Sequence, residues 1–246
     1  MDTRHVFETS VSFADVDRDE VLLLPRLFKL LQEAAIRHAN QFGAGTNALT
    51  LRGETWVLNR IFVQVVRYPR ATETLRVETW STGIRGFKGY RDFRVFDRAG
   101  ETIVAGSSLW LYLNVATQGI VRVPREVAAI FPVGEEPPWC PDLEALALTG
   151  PEEGAARFQY ALRYSDVDVN RHLNNAAYLD LVQSALSLQA GCPRPGRIAM
   201  KFAKGIAADA RSATVALDSA PPRWRFSVGD GGVVCATGEA LFDPEP

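Results

Sequence analysis

The chain has 246 residues, 47% of them hydrophobic and 23% charged, with a formal net charge of −2. That length suits one large domain or two fused small ones, and the balance is that of an ordinary soluble globular protein. It excludes a global basic field for nucleic acid, and no apolar run approaches the length of a membrane span.

The first residues, MDTRHVFETS, are polar and lack the apolar segment of a signal peptide. A short alternating segment, FETSVSF, follows, and it leads into DVDRDEVLLLPRLFKLLQEAA from Asp15 to Ala35. Within and just beyond that stretch Leu27, Leu31, Ala34, Ala35, His38 and Phe42 fall near one face at helical spacing. Next come TWVLNRIFVQVVRYP, ETLRVETWSTGI, GYRDFRVFD and TIVAGSSLWLYLNV, rich in β-branched and aromatic residues and read as strands. DRAGE between the last two reads as a hairpin turn. Residues 124–156, with Pro137, Pro138, Pro141 and Pro151, read as a linker in which PDLEAL holds a short helix.

The pattern then repeats. FQYALRY leads into DVDVNRHLNNAAYLDLVQSAL, Asp166 to Leu186, which aligns without a gap to Asp15–Ala35 at an offset of 151 with seven identities. Among them are Asp15/Asp166, Asp17/Asp168, Leu30/Leu181 and Gln32/Gln183. A second helix starts near Ala176, with Tyr178, Leu181, Val182, Ala185 and Leu188 on one face. RIAMKFAKGI, SATVALDS, RWRFSVGD and GVVCATGEALF are shorter strands, with GDGG in the last turn. Each half is strand, helix and antiparallel meander, which predicts an α+β fold made twice, one helix against one curved sheet. Cys140, Cys192 and Cys235 are odd in number, widely spaced and without Cys-x-x-Cys, so neither a disulfide framework nor a zinc site is suggested. A reducing, cytoplasmic setting is the simplest expectation.

The chemistry is expected in the second copy. Asp168, Asn170 and His172 are two apart, which puts them on one side of an extended backbone, though a tight loop would break that parity. Asn174 or Asn175 can cap the helix that follows, whose free N–H groups and dipole favour negative charge. Asn170 can donate to a carbonyl oxygen or hold a water, His172 can exchange a proton near neutral pH, and Asp168 can orient both. With no Gly-x-Ser-x-Gly and no cysteine in the motif, direct attack by water on an acyl carbon is favoured over a covalent intermediate. The bland alternative is that Asp and Asn before a helix only shape and cap a turn, with His172 a surface residue. Where the second copy has Asn170 and His172 the first has Asp19 and Val21, opening the apolar run VLLLP. That is expected if one half reacts and the other binds something greasy. Asp15 and Asp17 lack further ligands at metal-binding spacing, so no metal is expected.

On these residues the chain resembles the acyl-acyl-carrier-protein thioesterases of plant plastids and bacteria. Asp166 to Tyr178 is similar to that family's Asp-x-Asp-x-Asn-x-His-x-Asn-Asn-x-x-Tyr signature, and TWVLNRIFVQVVRYPRATETLRVETW and RDFRVFDRAGETIVAGSSLW resemble its first-half blocks. The likeness implies a tandem, or double, hot-dog fold, with an acyl-binding N-terminal hot-dog at 1–123, the linker at 124–156 and a C-terminal hot-dog carrying the motif at 157–246. It implies release of free fatty acid from an acyl-carrier protein bearing the chain on phosphopantetheine, without cofactor, nucleic acid or membrane span. A homodimer is an admissible assembly. It also implies that Asp168, Asn170 and His172 match catalytic positions, with Asn174, Asn175, Trp56 and Leu58 as candidate substrate contacts. A tryptophan in a strand such as Trp56, Trp80 or Trp110 is more often a core residue.

One departure stands out. The family's pattern carries a catalytic Glu three residues after an aromatic in the strand beyond the second helix. In KFAKGIAADA, with Phe202 as the aromatic, Gly205 takes that place, and Asp209 nearby reads as a turn residue. Three outcomes stay open: another group supplies the base, hydrolysis is slow, or the protein binds acyl groups without efficient turnover. Acyl-coenzyme A is the rival substrate. Arg85, Lys88, Arg91 and Arg94 in RGFKGYRDFR can be read as a docking patch for an acidic carrier, or more simply as a solvated strand face. His38 reads as a satisfied core histidine and His5 as a terminal surface residue.

Overall fold

The computed structural model describes residues 3–191, 194–220 and 222–242, so Cys192 lies outside the described residues. The chain divides into two compact units, Met1–Leu22 with Lys29–Ala145, and Leu23–Phe28 with Leu146–Pro246.

The first unit holds strands β1 (Arg4–Ser10), β2 (Glu54–Val65), β3 (Thr74–Arg85), β4 (Lys88–Phe96) and β5 (Thr102–Asn114). They lie side by side in the order β1-β3-β4-β5-β2, each antiparallel to its neighbour. Helix α1 (Leu24–Gln41) connects β1 towards β2, followed by a short α2 (Thr46–Thr50). Bulges between Leu58 and Arg60 and between Ser81 and Gly83 shift the register locally, the device by which a sheet bends. Leu31, Ala34, Ala35 and His38 of α1 are buried, as their spacing predicts. A further core of Ala44, Leu49, Tyr112, Val123, Val127 and Phe131 closes one end, with Phe42 packed against it.

The proline-rich stretch is more than a tether. Its helix is α3 (Arg125–Ile130), while PDLEAL forms turns. Residues up to Ala145 belong to the first unit. They cover the second face of the sheet, which is why β3 and β4 are buried on both sides. Buried Asp92 accepts from Trp139 N at 2.7 Å and from Ser107 Oγ at 2.7 Å, and Ser107 Oγ accepts from Cys140 N at 3.0 Å. Burial raises the Asp92 carboxyl above the usual range, and these bonds partly hold it down. Trp80, 1% exposed, sits under the guanidinium of Arg4 at 4.3 Å. Gly134 passes so close that a Cβ there would lie 2.6 Å from Trp80 Cδ1.

The second unit repeats the plan. Strands β6 (Ala156–Ala161), β7 (Arg197–Phe202), β8 (Ser212–Ala220), β9 (Arg223–Asp230) and β10 (Val233–Leu241) run in the order β6-β8-β9-β10-β7, again antiparallel. Helix α4 (Asn175–Ala190) lies against β8 and β9. It is buried on most sides through Ala176, Tyr178, Leu179, Val182, Ala185 and Leu186. Leu188, expected on the inner face, is 71% exposed instead. Each unit is a hot-dog, a bent antiparallel sheet with a long helix against it, and the chain is a tandem of two.

His5 corrects a second expectation. Its ring nitrogens are shielded from solvent, and its ring lies 5.6 Å from Phe7 and 6.3 Å from His38. Desolvation lowers its pKa below 6.5. The unfolded chain therefore binds the proton first as pH falls, so this group withdraws stability below about pH 6.5 and none above it. Replacing His5 by Phe is expected to flatten the fall of the melting temperature between pH 7 and pH 5, followed by thermal denaturation; an unchanged slope would show that other groups set it.

Candidate active site

Both copies fold the same turn. In the first, Asp17 Oδ1 accepts from Asp19 N at 2.9 Å and Val21 N at 3.1 Å, while Asp17 N donates to Val21 O at 2.8 Å. In the second, Asp168 Oδ1 accepts from Asn170 N at 2.8 Å and His172 N at 3.5 Å, while Asp168 N donates to His172 O at 2.9 Å. Glu20 and Arg171 share a φ of 61°. A left-handed residue with a side chain costs about 1–2 kcal/mol, and the aspartate's grip on the turn offsets it. Beyond the turn Val21 pairs with Arg70 and His172 with Ala207, and the next N–H, of Leu22 or Leu173, reaches Pro69 O or Ile206 O at 2.8 Å. These pairings relate the segments after β2 and β7 by an offset of 137, making Tyr68 the counterpart of Gly205.

The three motif residues stay together, but not by strand parity. The backbone reverses between Asp168 and His172, so the two-residue spacing does not set a common face. Asp168 is half-buried with its carboxylate on the turn's own N–H groups. Asn170 is exposed at the apex, and His172 is half-buried where the chain returns. The imidazole packs on the backbone of Gly205, where a Cβ would lie 2.5 Å from His172 Cδ2 and 3.0 Å from Cγ. Gly205 thus forms the floor beneath the ring, and Asp209 is exposed in the turn beyond it.

Tyr178 holds that floor in place, a part the sequence does not announce. Its hydroxyl accepts from Ile206 N at 2.9 Å and faces Lys204 O at 3.5 Å, and its ring meets Phe202 edge-on at 5.4 Å. Burial lifts its pKa well above the ordinary tyrosine value, keeping it a neutral donor. The available signal was a tyrosine on an alanine- and leucine-rich helix face, where its O–H must find a partner.

At the start of α4, Asn174 is the cap: its Oδ1 accepts from Ala176 N at 2.9 Å, its O from Ala177 N at 2.8 Å, and its N donates to Asp166 O at 2.8 Å. Its side chain is committed to the helix, which occupies one N–H expected for a developing anion. Asn175 is half-buried as the first helical residue.

The first unit contains a partly open cavity. Its apolar wall comes from α1 (Ala35, Ile36, Ala39), Ala44, Leu49, Ile84 and Phe131. Trp56 and Trp110 also line it, whereas Leu58 does not and is buried in the sheet beside the bulge. Arg91 forms a polar spot in this wall. It bonds His38 Nδ1 at 2.8 Å and Thr79 Oγ1 at 3.1 Å, and desolvation lowers its pKa to about 10. Since guanidinium only donates, His38 Nδ1 accepts. The basic run across the end of β3 and β4 is therefore not a uniform solvated face. Arg91 points inward, Arg94 bonds Glu136 at 2.7 Å, Lys88 pairs with Glu144, and Arg85 stacks 5.4 Å from the Tyr90 ring.

Fold and motif together define a tandem hot-dog with a histidine turn in its second half, and comparison places that class. Residues 3–131 match the family model for the acyl-ACP thioesterase N-terminal domain and residues 150–218 that for the C-terminal domain, so the chain belongs to the acyl-ACP thioesterase family. Among individual proteins, it is 29% identical over 183 residues to a chloroplastic palmitoyl-acyl carrier protein thioesterase of Arabidopsis thaliana, covering 69% of this chain and 44% of that one. It is 32% identical over 180 residues to a chloroplastic dodecanoyl-[acyl-carrier-protein] hydrolase of Cinnamomum camphora, covering 68% and 47%. The matched span is thus less than half the length of these relatives. The fold matches the 12:0-ACP thioesterase from Umbellularia californica with a TM-score of 0.86 at 22% identity, covering 100% and 99% of the two chains. An acyl-ACP thioesterase from Bacteroides thetaiotaomicron gives 0.84 at 20%, covering 98% of each.

Proposed function

We propose that the chain hydrolyses the thioester of fatty acyl groups on acyl-carrier protein, releasing free fatty acid. The observation that carries this reading is the divergence of the duplicated turn: one backbone shape, with Val21 in the first copy and His172 over a bare glycine in the second. In the proposed reaction, water attacks the thioester carbonyl and His172 takes its proton, then returns one to the departing thiolate. The Asn170 amide donates to the carbonyl oxygen as charge develops there. Asp168 holds the turn that presents both. The cavity of the first unit takes the acyl chain, with Trp56 in its wall.

Gly205 favours a second reading, acyl or carrier binding without efficient turnover, because a glycine brings no carboxylate to activate water. Incubation with a panel of acyl-carrier proteins and with matched acyl-coenzyme A, followed by analysis of the released acids, separates the readings. Free acid from the carrier panel supports hydrolysis, faster release from coenzyme A shifts the substrate, and tight binding with no acid supports the binding protein.

The cavity makes its own prediction. Ala39→Phe adds a ring to the wall, so the product profile is expected to shift towards shorter chains, with the longest accepted chain losing about 10-fold or more in kcat/KM, since each methylene excluded from an apolar pocket is worth about 1–3 kcal/mol. An unaltered profile would remove the first unit as the acyl pocket.

A further inference from the structure

The cavity of the first unit carries a charge in its wall. Arg91 lines it at 8% exposure, and buried His38 and Thr79 hold one arm of its guanidinium. Both bonds run from Nη1, to His38 Nδ1 at 2.8 Å and to Thr79 Oγ1 at 3.1 Å. Nε and Nη2 have no hydrogen-bond partner, and no carboxylate lies within ion-pair distance of the group, among the described residues. His38 is no counter-ion, because its Nδ1 accepts as a neutral imidazole. A charge buried without an opposite charge or a full set of acceptors is costly. The second unit shows that the scaffold does not require it. Phe7 stands opposite Val77 and Val77 opposite Val95, as Phe158 stands opposite Val215 and Val215 opposite Val228. Counted along these registers, Leu217 takes the place of Thr79 and Trp224 that of Arg91, and the offset of 151 between the helices gives Gln189 for His38. Leu217 and Trp224 are buried, and Gln189 is exposed. One sheet therefore closes over apolar side chains where the other encloses a guanidinium at the edge of a cavity.

We propose that Arg91 receives an oxygen acceptor at the far end of the acyl chain, so that the substrates are chains ending in a hydroxyl or a carboxylate rather than plain hydrocarbon. The inference rests on the proposed function, in which the chain and not the thioester occupies this cavity, and it names the class of chain. The unused edge of the guanidinium, Nε with Nη2, offers two parallel N–H groups. They fit the two oxygens of a carboxylate and can equally donate to one hydroxyl. The surrounding wall of Ala35, Ile36, Ala39 and Phe131 suits the methylenes that lead to that oxygen. A hydrocarbon end there would leave the donors without acceptors, and a site built to bond an oxygen discriminates against the analogue that lacks it.

Acyl chains of several lengths, each on acyl-carrier protein with a methyl, hydroxyl or carboxylate end, test it. At one length or more the native chain is expected to favour an oxygen-bearing form over the methyl form by about 10–100-fold in kcat/KM, the worth of a hydrogen bond to a charged group. Whether the hydroxyl or the carboxylate wins tells a neutral acceptor from an anion. Arg91→Met is expected to reverse the preference. A native chain that favours no oxygen-bearing form at any length, or a preference that Arg91→Met leaves in place, overturns the assignment. If Arg91→Met does not fold, the native panel alone decides. If the native chain releases acid from none of the forms, the functional reading fails separately, and calorimetry with the same chains amide-linked to carrier protein decides the site. Binding of an oxygen-bearing form about 10-fold or more tighter than the methyl form then supports it, and equal or weaker binding overturns it.

Discussion

Replacing His172 by alanine is expected to lower release of fatty acid from its carrier by about 10²–10⁴-fold, the usual range for loss of a general acid–base group. The fold should survive. His172 contributes to the turn through its backbone, by the bond from Asp168 N and the pairing with Ala207, and the first copy closes the same turn around Val21 without an imidazole. Asn170→Ala removes an exposed side chain at the apex, and losing one donor to a developing oxyanion costs about 10²–10³. Melting temperatures within a few degrees of the native chain, together with the collapse of acid release, are the expected pair of results. Native rates in both variants would discard the site.

The second large effect belongs to a residue with no chemistry of its own. Gly205→Ala is expected to cost about 10²-fold in turnover with little loss of stability. The added Cβ would sit 2.5 Å from His172 Cδ2, and the ring must swing away. Swinging a half-exposed side chain is cheap, because no backbone has to move, and Gly205 is not among the glycines at positive φ, so alanine fits its backbone. A displacement of about 1 Å at a reacting group is enough for such a loss. Activity assays with a melting curve for the same sample check this; a fully active, stable alanine variant would mean that the ring orientation is irrelevant. A glutamate at 205 meets the same collision, so restoring the family's carboxylate there is expected to displace the histidine before it can assist it.

The duplication was legible because two independent patterns coincide in it: the Asp-x-Asp spacing ahead of each helix, and the alternation of each meander. Both follow from local physics, one from aspartate bonding to nearby backbone N–H groups and the other from the period of a strand. The failures are equally physical. Nothing in Val-Asn-Arg-His announces an arginine at φ 61°, since the left-handed region is expected of glycine or asparagine, so the extended and the turn readings of the motif stood side by side. Arg91 sits in an alternating strand where a charge is expected outside, yet it finds His38 and Thr79 within. The cover over Asp92 has no period at all, being held by single bonds from Trp139 and Cys140. Gly205 could be placed from a family pattern, but its contact with His172 depends on the meeting of two segments far apart in sequence.

The shared turn also bears on how such a chain can change. Where identical subunits associate, every substitution appears in all of them at once, and a residue that suits one role must be tolerated in the other. Carrying both versions in one polypeptide removes that constraint. Val21 and His172, or Glu20 and Arg171, can drift in opposite directions while Asp17 and Asp168 keep each loop in shape, so specialisation of one half need not be borne by its twin.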